Sequence, residues 1–275
     1  MRLQHKIKSR LGNVSQRLLP KDNIGKSLKN FQKTVSIDGL SRSDDFEDKI
    51  EIIIPCYNHA QYLGDAYQSI VSQTWKDRPI TITFIDDNSA DSTKNIVQSI
   101  QKQKTNNNIR YIRNEQNIRQ QGSINKAVTC SNSEIFVILN DDDLLVPDAL
   151  DVIVATFRLH PELALVGASS IWFDNKKPVH KVLPQKELSL TIYTPEDAKK
   201  YRSLNDLNMT HSSSAFLRYA WEAVGGYRDK ADRISQGANE DRDFQMRVSS
   251  LFPVGVYQSY PLAYWRTSSS HGKDF

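Results

Sequence analysis

From residue 49 onward, short β-branched runs alternate with helical spacings of apolar residues. Residues 50–55 (IEIIIP) read as a strand buried on both faces, and Leu63, Tyr67, Ile70 and Val71 after them share one helix face. Residues 80–85 (ITITFI) predict the next strand, and Ile96, Val97 and Ile100 the next helix face. Residues 109–113 (IRYIR), a helix running through Ala127, and residues 135–139 (IFVIL) continue the alternation. Pro147 suits the first turn of a further helix with Leu150, Ile153, Val154 and Phe157 on its face, ended near Pro161 and followed by a strand at residues 164–170. Strand and helix in strict alternation predict an α/β domain with a mostly parallel, Rossmann-like central sheet flanked by helices.

Before this domain the period is helical throughout. Leu3, Ile7, Leu11, Val14 and Leu18 step by three or four, and Ile24, Leu28, Phe31 and Val35 repeat the spacing after Pro20. Two short basic amphipathic helices are expected in residues 1–36, then a polar linker over 37–48, then the main domain over 49–275. Residues 1–34 carry nine Lys or Arg against one acid, Asp22, so a chain of net charge +4 has a main domain that is mildly acidic. That balance argues against nucleic acid as a partner of the main domain. The basic helices suit an anionic membrane surface, or else packing on the main domain or a partner protein.

The chain is 275 residues with 39% hydrophobic and 25% charged residues, ordinary for a globular domain. No apolar run approaches the ~18 residues of a membrane span, and no signal-peptide core opens the chain, so a cytoplasmic protein is expected, at most peripheral at the inner face of a membrane. Cys56 and Cys130 lack the spacing of a zinc site.

Polar clusters follow the predicted strands: PCYNHA at 55–60, DDNSADS at 86–92 and NDDD at 140–143. Parallel sheets bind ligands beyond the carboxyl ends of their strands. No glycine-rich phosphate loop is present, which disfavours a dinucleotide or ATP site of the usual kind. Three adjacent carboxylates after a buried strand repel one another unless something compensates, and Mg²⁺ or Mn²⁺, with its preference for hard oxygen donors, would do so. The competing reading is a helix N-terminus capped by one of the acids. For Asp86 and Asp87 the choice lies between hydrogen bonds to a base or ribose and an Asx-turn in which Asp91 or Ser92 caps the next helix. Glu240 and Asp241 before Phe244, Met246 and Val248 read, by themselves, as a helix start.

The stretches at 50–75, 82–93, 114–127, 136–150, 212–228 and 239–248 resemble, in order, the motifs of the family-two glycosyltransferases, inverting GT-A enzymes that use a nucleotide-diphosphate sugar and a metal. The resemblance implies that Pro55, Tyr57 and Asn58 border the nucleotide, that Asp87 contacts a uracil-type base, and that Arg119, Asn125 and Asp141 lie on the donor side. It implies Asp142, with Asp143 beside it, as ligands of Mn²⁺ or Mg²⁺, and Asp241 as general base with Glu240 as its neighbour. Ser213, Gly225 and Gly226 fall on the acceptor side. The chain departs from the family pattern at Asn140, where many members have aspartate, at Arg119, where a glycine is usual, and behind Arg266, where the usual histidine is replaced at a distance by His271. The implied activity is transfer from a UDP-sugar to a hydroxyl of a glycan, lipid-linked or protein acceptor. A nucleotidyltransferase making nucleotide sugars is the alternative enzyme, although the Gly- and Arg-rich loop expected near its first strand is missing. A non-catalytic nucleotide- or glycan-binding relative is the other alternative. The basic loop at 174–186 reads as solvated surface or as a cover over the phosphates.

Overall fold

The computed structural model describes residues 24–34, 48–75, 79–174, 188–203, 206–229 and 240–267. Helix α1 (Ile24–Thr34) comes first. The β-branched runs then form β1 (Ile50–Cys56), β2 (Thr81–Asp86), β3 (Asn108–Arg113) and β4 (Ile135–Ile138), which pair in parallel in the order β3-β2-β1-β4. Every residue of β1 and β4 is buried, as a strand covered on both faces requires. Between them run α2 (Ala60–Val71), α3 (Thr93–Gln101) and α4 (Arg119–Thr129).

Past β4 come β5 (Leu144–Leu145), α5 (Ala149–Leu159), β6 (Leu165–Ala168), β7 (Ser170–Phe173), β8 (Leu190–Tyr193), α6 (Pro195–Ala198), β9 (Ala215–Leu217), α7 (Arg218–Val224), α8 (Glu240–Leu251), β10 (Val254–Tyr257) and β11 (Ala263–Arg266). The large sheet extends to β3-β2-β1-β4-β9-β6-β10-β8, with β9 and β8 reversed against the rest. A small sheet, β5-β11-β7, stands beside it. The chain moves outward from β1 to β3 and then returns to lay β4 on the other side of β1, so a crevice opens beyond the carboxyl ends of these strands.

The expected helix faces pack as two layers. Leu63, Tyr67, Ile70, Val97, Ile100 and Phe157 cover one side of the sheet, and Ile124, Val128, Val224, Phe244 and Val248 the other. One boundary differs from expectation: α5 begins at Ala149 behind an N-cap at Asp148, so Pro147 precedes the helix rather than opening it. The Pro147 carbonyl instead accepts the Thr74 amide at 2.8 Å, and residues 147 and 148 form a turn closed by the Ala149 amide on the Val146 carbonyl at 3.1 Å.

Helix α1 buries Ile24, Leu28 and Phe31 in the second layer, against α8. Gly25 permits the approach, since a Cβ there would lie 2.5 Å from the Lys199 carbonyl oxygen, and its amide donates to the Tyr201 carbonyl at 3.2 Å. The apolar face of this helix is therefore occupied by its own domain, while Lys26, Lys29 and Lys33 face outward. The earlier helical repeat from Leu3 to Leu18, Val35, the linker up to residue 47, the loop at 175–186 and His271 lie outside the described residues. Among the described residues no helix is long and apolar enough to cross a membrane.

Candidate active site

The acidic triplet at the end of β4 has three different environments. Asp141 is buried and its Oδ2 accepts the Tyr57 amide at 3.0 Å, while its Oδ1 meets His59 Nδ1 at 2.9 Å. Burial raises the Asp141 pKa and the His59 contact opposes the rise; the same contact raises the pKa of His59. Asp143 is fully buried, with Oδ1 accepting the Arg266 amide at 2.9 Å and Oδ2 accepting from Ser212 Oγ and from Asn140 Nδ2. Burial, and then the neighbouring Asp142 charge, push the Asp143 pKa up to about 7. Asp142 lies between them, and among the described residues no donor reaches its carboxylate; only its main-chain carbonyl is engaged, by Arg266 Nε at 2.6 Å. None of the three acids caps α5, which removes the helix-cap reading of the triplet. Asp143, expected beside Asp142 as a metal ligand, has protein donors on both oxygens and braces the Ser212 loop against β11.

At the end of β2 the pair divides in the same way. Asp86 accepts Tyr111 OH at 2.6 Å, Arg113 Nη1 at 2.5 Å and the Ser89 amide at 2.8 Å, and is a structural anchor. Burial, followed by the bond to Asp86, pushes the Tyr111 phenol up to about 12. Asp87 accepts Asn114 Nδ2 at 2.9 Å and the Ile118 amide at 2.8 Å on Oδ1 alone, so Oδ2 has no donor among the described residues. The Asx-turn is present too: Asp91 accepts the Thr93 amide and hydroxyl at 3.0 and 2.6 Å, with the Ala60 amide on its other oxygen.

The loop after β1 lies against both clusters. Pro55 falls beyond the stretch of β1 that pairs with β4, where its missing N–H breaks no ladder bond. Tyr57 is exposed, and Asn58, at φ 56°, accepts the Ala90 amide at 2.7 Å. Arg119 opens α4 at φ 64°, a left-handed backbone that costs most residues about 1–2 kcal/mol and accounts for a glycine preference at this position. Gln120 beside it donates to Asn140 Oδ1 at 2.8 Å. Asn125 accepts Trp221 Nε1 and the Tyr227 amide and donates to the Tyr227 carbonyl at 2.8 Å, holding the turn after α7.

That turn is Gly225-Gly226, at φ 71° and 69°. Buried Arg247 secures it from α8, with Nη1 on the Val224 carbonyl, Nη2 on the Gly226 carbonyl at 2.8 Å, and Nε on Asp243 at 2.8 Å. The same helix carries Glu240 and Asp241 in its first turn, where the dipole favours acids. No donor to the Asp241 carboxylate is found among the described residues. Its charge is felt by two buried groups: it opposes the burial that lowers His211, and it adds to the burial that raises Tyr227. His211 opens the loop His211-Ser212-Ser213-Ser214, so one short segment bonds Asp143 through Ser212 and carries a histidine within the field of Asp241. Ser213 holds φ 71° with its amide on the Ile138 carbonyl at 2.7 Å.

The glycosyl transferase family 2 profile matches residues 51–225, more than half of the chain, including β2 to β4 and all of β1 but its first residue. The chain belongs to glycosyltransferase family 2. Over 108 residues it is 36% identical to the GalNAc(5)-diNAcBac-PP-undecaprenol beta-1,3-glucosyltransferase of Campylobacter jejuni, covering 38% of this chain and 33% of that one. Over 204 residues it is 26% identical to the chondroitin synthase of Escherichia coli, covering 74% of this chain and 27% of that one. The chain thus spans about a third or less of the length of these two relatives. The fold is shared with S. aureus TarS 1–349 in complex with UDP-GlcNAc (TM-score 0.63, 16% identity, 82% of this chain and 61% of that one). It is shared too with mannosyltransferase PcManGT from Pyrobaculum calidifontis in complex with GDP-Man and Mn²⁺ (TM-score 0.60, 16% identity, 90% and 64%). The family-two chain therefore has a GT-A fold.

Among the described residues no three His, Cys, Asp or Glu side chains converge on one ion position. Mg²⁺ and Mn²⁺ do not require that, since one or two carboxylates with water and substrate phosphates suffice, and the donor-free carboxylate of Asp142 fits such a role. His59 and Arg247 carried no signal of their own in the sequence beyond lying within the quoted motifs, whereas Ser212 fell in the stretch that the resemblance places on the acceptor side.

Proposed function

We propose that this domain is a metal-dependent inverting glycosyltransferase that moves a sugar from a nucleotide-diphosphate donor, a UDP-sugar, to a hydroxyl of a glycan or lipid-linked acceptor. One observation carries the reading: among the described residues, Asp142 and Asp241 present carboxylates without protein donors, and Asp87 keeps one oxygen without a donor, while Asp86, Asp141 and Asp143 are held by hydrogen bonds. The bound nucleotide sugars in the two solved structures of this fold support the donor class. The names of the Campylobacter and Escherichia relatives support a glycan or lipid-linked acceptor.

In this reading Asp87 Oδ2 accepts a hydrogen bond from the base, and Asp142 would hold Mn²⁺ or Mg²⁺. When bound, that cation stabilises the negative charge gathering on the departing phosphate. Asp241 takes the proton from the acceptor hydroxyl, whose oxygen bonds to the anomeric carbon as the carbon–phosphate-oxygen bond breaks and its electron pair leaves with the nucleoside diphosphate. A single displacement inverts the anomeric centre, and no covalent nucleophile is needed.

Calorimetry with UDP-sugars and Mn²⁺, followed by kinetics with a glycan acceptor, tests the reading. Asp142→Ala should abolish the metal-dependent part of donor affinity. Asp241→Asn, which keeps shape but cannot take a proton, should lower kcat by about 10² to 10⁴ with donor affinity nearly unchanged. Glu240→Gln should cost less. Near-normal turnover by Asp241→Asn would remove the general-base assignment. A non-catalytic binding relative is the second reading, favoured by Asn140 and by the exposed Arg119 at a left-handed position; donor binding without turnover by the wild-type protein would establish it.

A further inference from the structure

Two tryptophans face solvent on the small sheet. Trp172 of β7 is 70% exposed and Trp265 of β11 38%, although indoles are costly to leave in water. They are direct cross-strand partners, with ring centroids 5.3 Å apart and planes at 77°. Strand alternation assigns their face. Ser170, Trp172, Ala263 and Trp265 share one side of the sheet, and Phe173 and Arg266 the other, where the Arg266 guanidinium lies 4.5 Å from the centroids of both Tyr62 and Phe173. The indoles therefore point away from α2.

What lies on their side connects to the proposed acceptor side. Ser170 Oγ bonds Thr210 Oγ1 at 2.7 Å, and the Thr210 hydroxyl reaches the Ser212 carbonyl at 3.2 Å. Ser212 then bonds Asp143, and His211 between them feels the charge of Asp241. The sheet is also fixed to the acidic centre at its own edge, since β5 follows Asp143 directly and the Arg266 amide and guanidinium hold Asp143 and the Asp142 carbonyl. An exposed, rigidly mounted pair of indoles thus continues the face that leads to the proposed base.

The geometry points to a sugar-binding platform: the more exposed Trp172 stacks on a pyranose ring of the acceptor and Trp265, set at 77° to it, walls the side of that ring, making the acceptor a glycan of more than one residue. Pyranose rings present an apolar C–H face with hydroxyls at the rim, and the flat indole covers that face while leaving the hydroxyls to water and polar neighbours. The inference rests on the transferase reading for the word acceptor, but the platform is testable without a donor.

The full chain, ¹⁵N-labelled, is titrated with chitopentaose, cellopentaose and maltopentaose while its four indole N–H signals are followed. The Trp172 and Trp265 signals, assigned by substitution, should move with at least one pentasaccharide, and those of Trp75 and Trp221 should stay. Trp172→Ala should weaken that binding by about tenfold and the double substitution with Trp265→Ala should abolish it, while UDP affinity by calorimetry remains within about twofold of wild type. The proposal is overturned if none of the three sugars moves these two signals, or if binding survives the double substitution. It is also overturned if phosphatidylglycerol vesicles perturb the two indoles and the sugars do not, which would make the pair a lipid contact. Saccharide binding by a wild-type protein that takes up no UDP-sugar would refute the transferase reading and leave the platform standing as a glycan site.

Discussion

Asp143 and Arg266 are 123 residues apart in sequence, yet the main-chain amide of Arg266 donates to Asp143 Oδ1 at 2.9 Å. That bond, with Ser212 on the other oxygen, makes Asp143 part of the frame and leaves Asp142 as the acid of the triplet whose carboxylate has no donor among the described residues. Removing Asp143 would strand a buried amide and a buried hydroxyl, at about 1–3 kcal/mol for each unpaired group. Asp143→Ala should therefore lower the unfolding midpoint by several degrees, and Asp142→Ala should leave it nearly unchanged. Calorimetric melts of the two variants side by side decide this; equal destabilisation would contradict the division of roles.

Helix α1 should be integral to the domain. Leu28 is fully buried against α8, and truncating a buried leucine to alanine costs about 2–5 kcal/mol. Leu28→Ala should shift the urea midpoint accordingly, whereas Lys29→Ala on the outward face should not. A Leu28→Ala protein as stable as wild type would mean that the helix is only loosely docked.

The two glycines after α7 should differ in sensitivity. Both have a positive φ, for which alanine costs about 1–2 kcal/mol, but a Cβ at Gly225 meets nothing within 4 Å while one at Gly226 would lie 2.6 Å from Asn125 Oδ1. Gly226→Ala should destabilise clearly more than Gly225→Ala. It should also disturb the Trp221 indole N–H signal, because Asn125 binds that group.

His211 should contribute a pH-dependent term. Burial lowers its pKa below 6.5, against the raising charges of Asp241 and Glu240, and its Nε2 contacts Tyr227 OH at 3.1 Å. The unfolded chain therefore binds the proton first as pH falls, so the stability from neutral His211 is complete above pH 6.5 and declines below it toward the folded value. Melts between about pH 5 and 7.5 should fall less steeply on the acid side for His211→Gln than for wild type. Parallel curves would mean that His211 titrates alike in both states.

The strands β1 to β4 and the faces of α2, α3 and α5 were legible in the sequence, because burial on one or both faces writes a period into the chain itself. So was the placement of polar clusters at strand ends, which follows from strand-helix alternation alone. Which acid in each cluster is free was decided only by the tertiary structure. Asp86 and Asp87, or Asp141, Asp142 and Asp143, are chemically identical neighbours, and what separates them is whether a donor arrives from elsewhere. Those donors are Tyr111 and Arg113 for Asp86, Tyr57 and His59 for Asp141, and Ser212 and Arg266 for Asp143, brought from 25 to 123 residues away. The docking of α1 on α8 was undecided for the same reason: an amphipathic period states that a face must be covered, and only the packed chain determines by what.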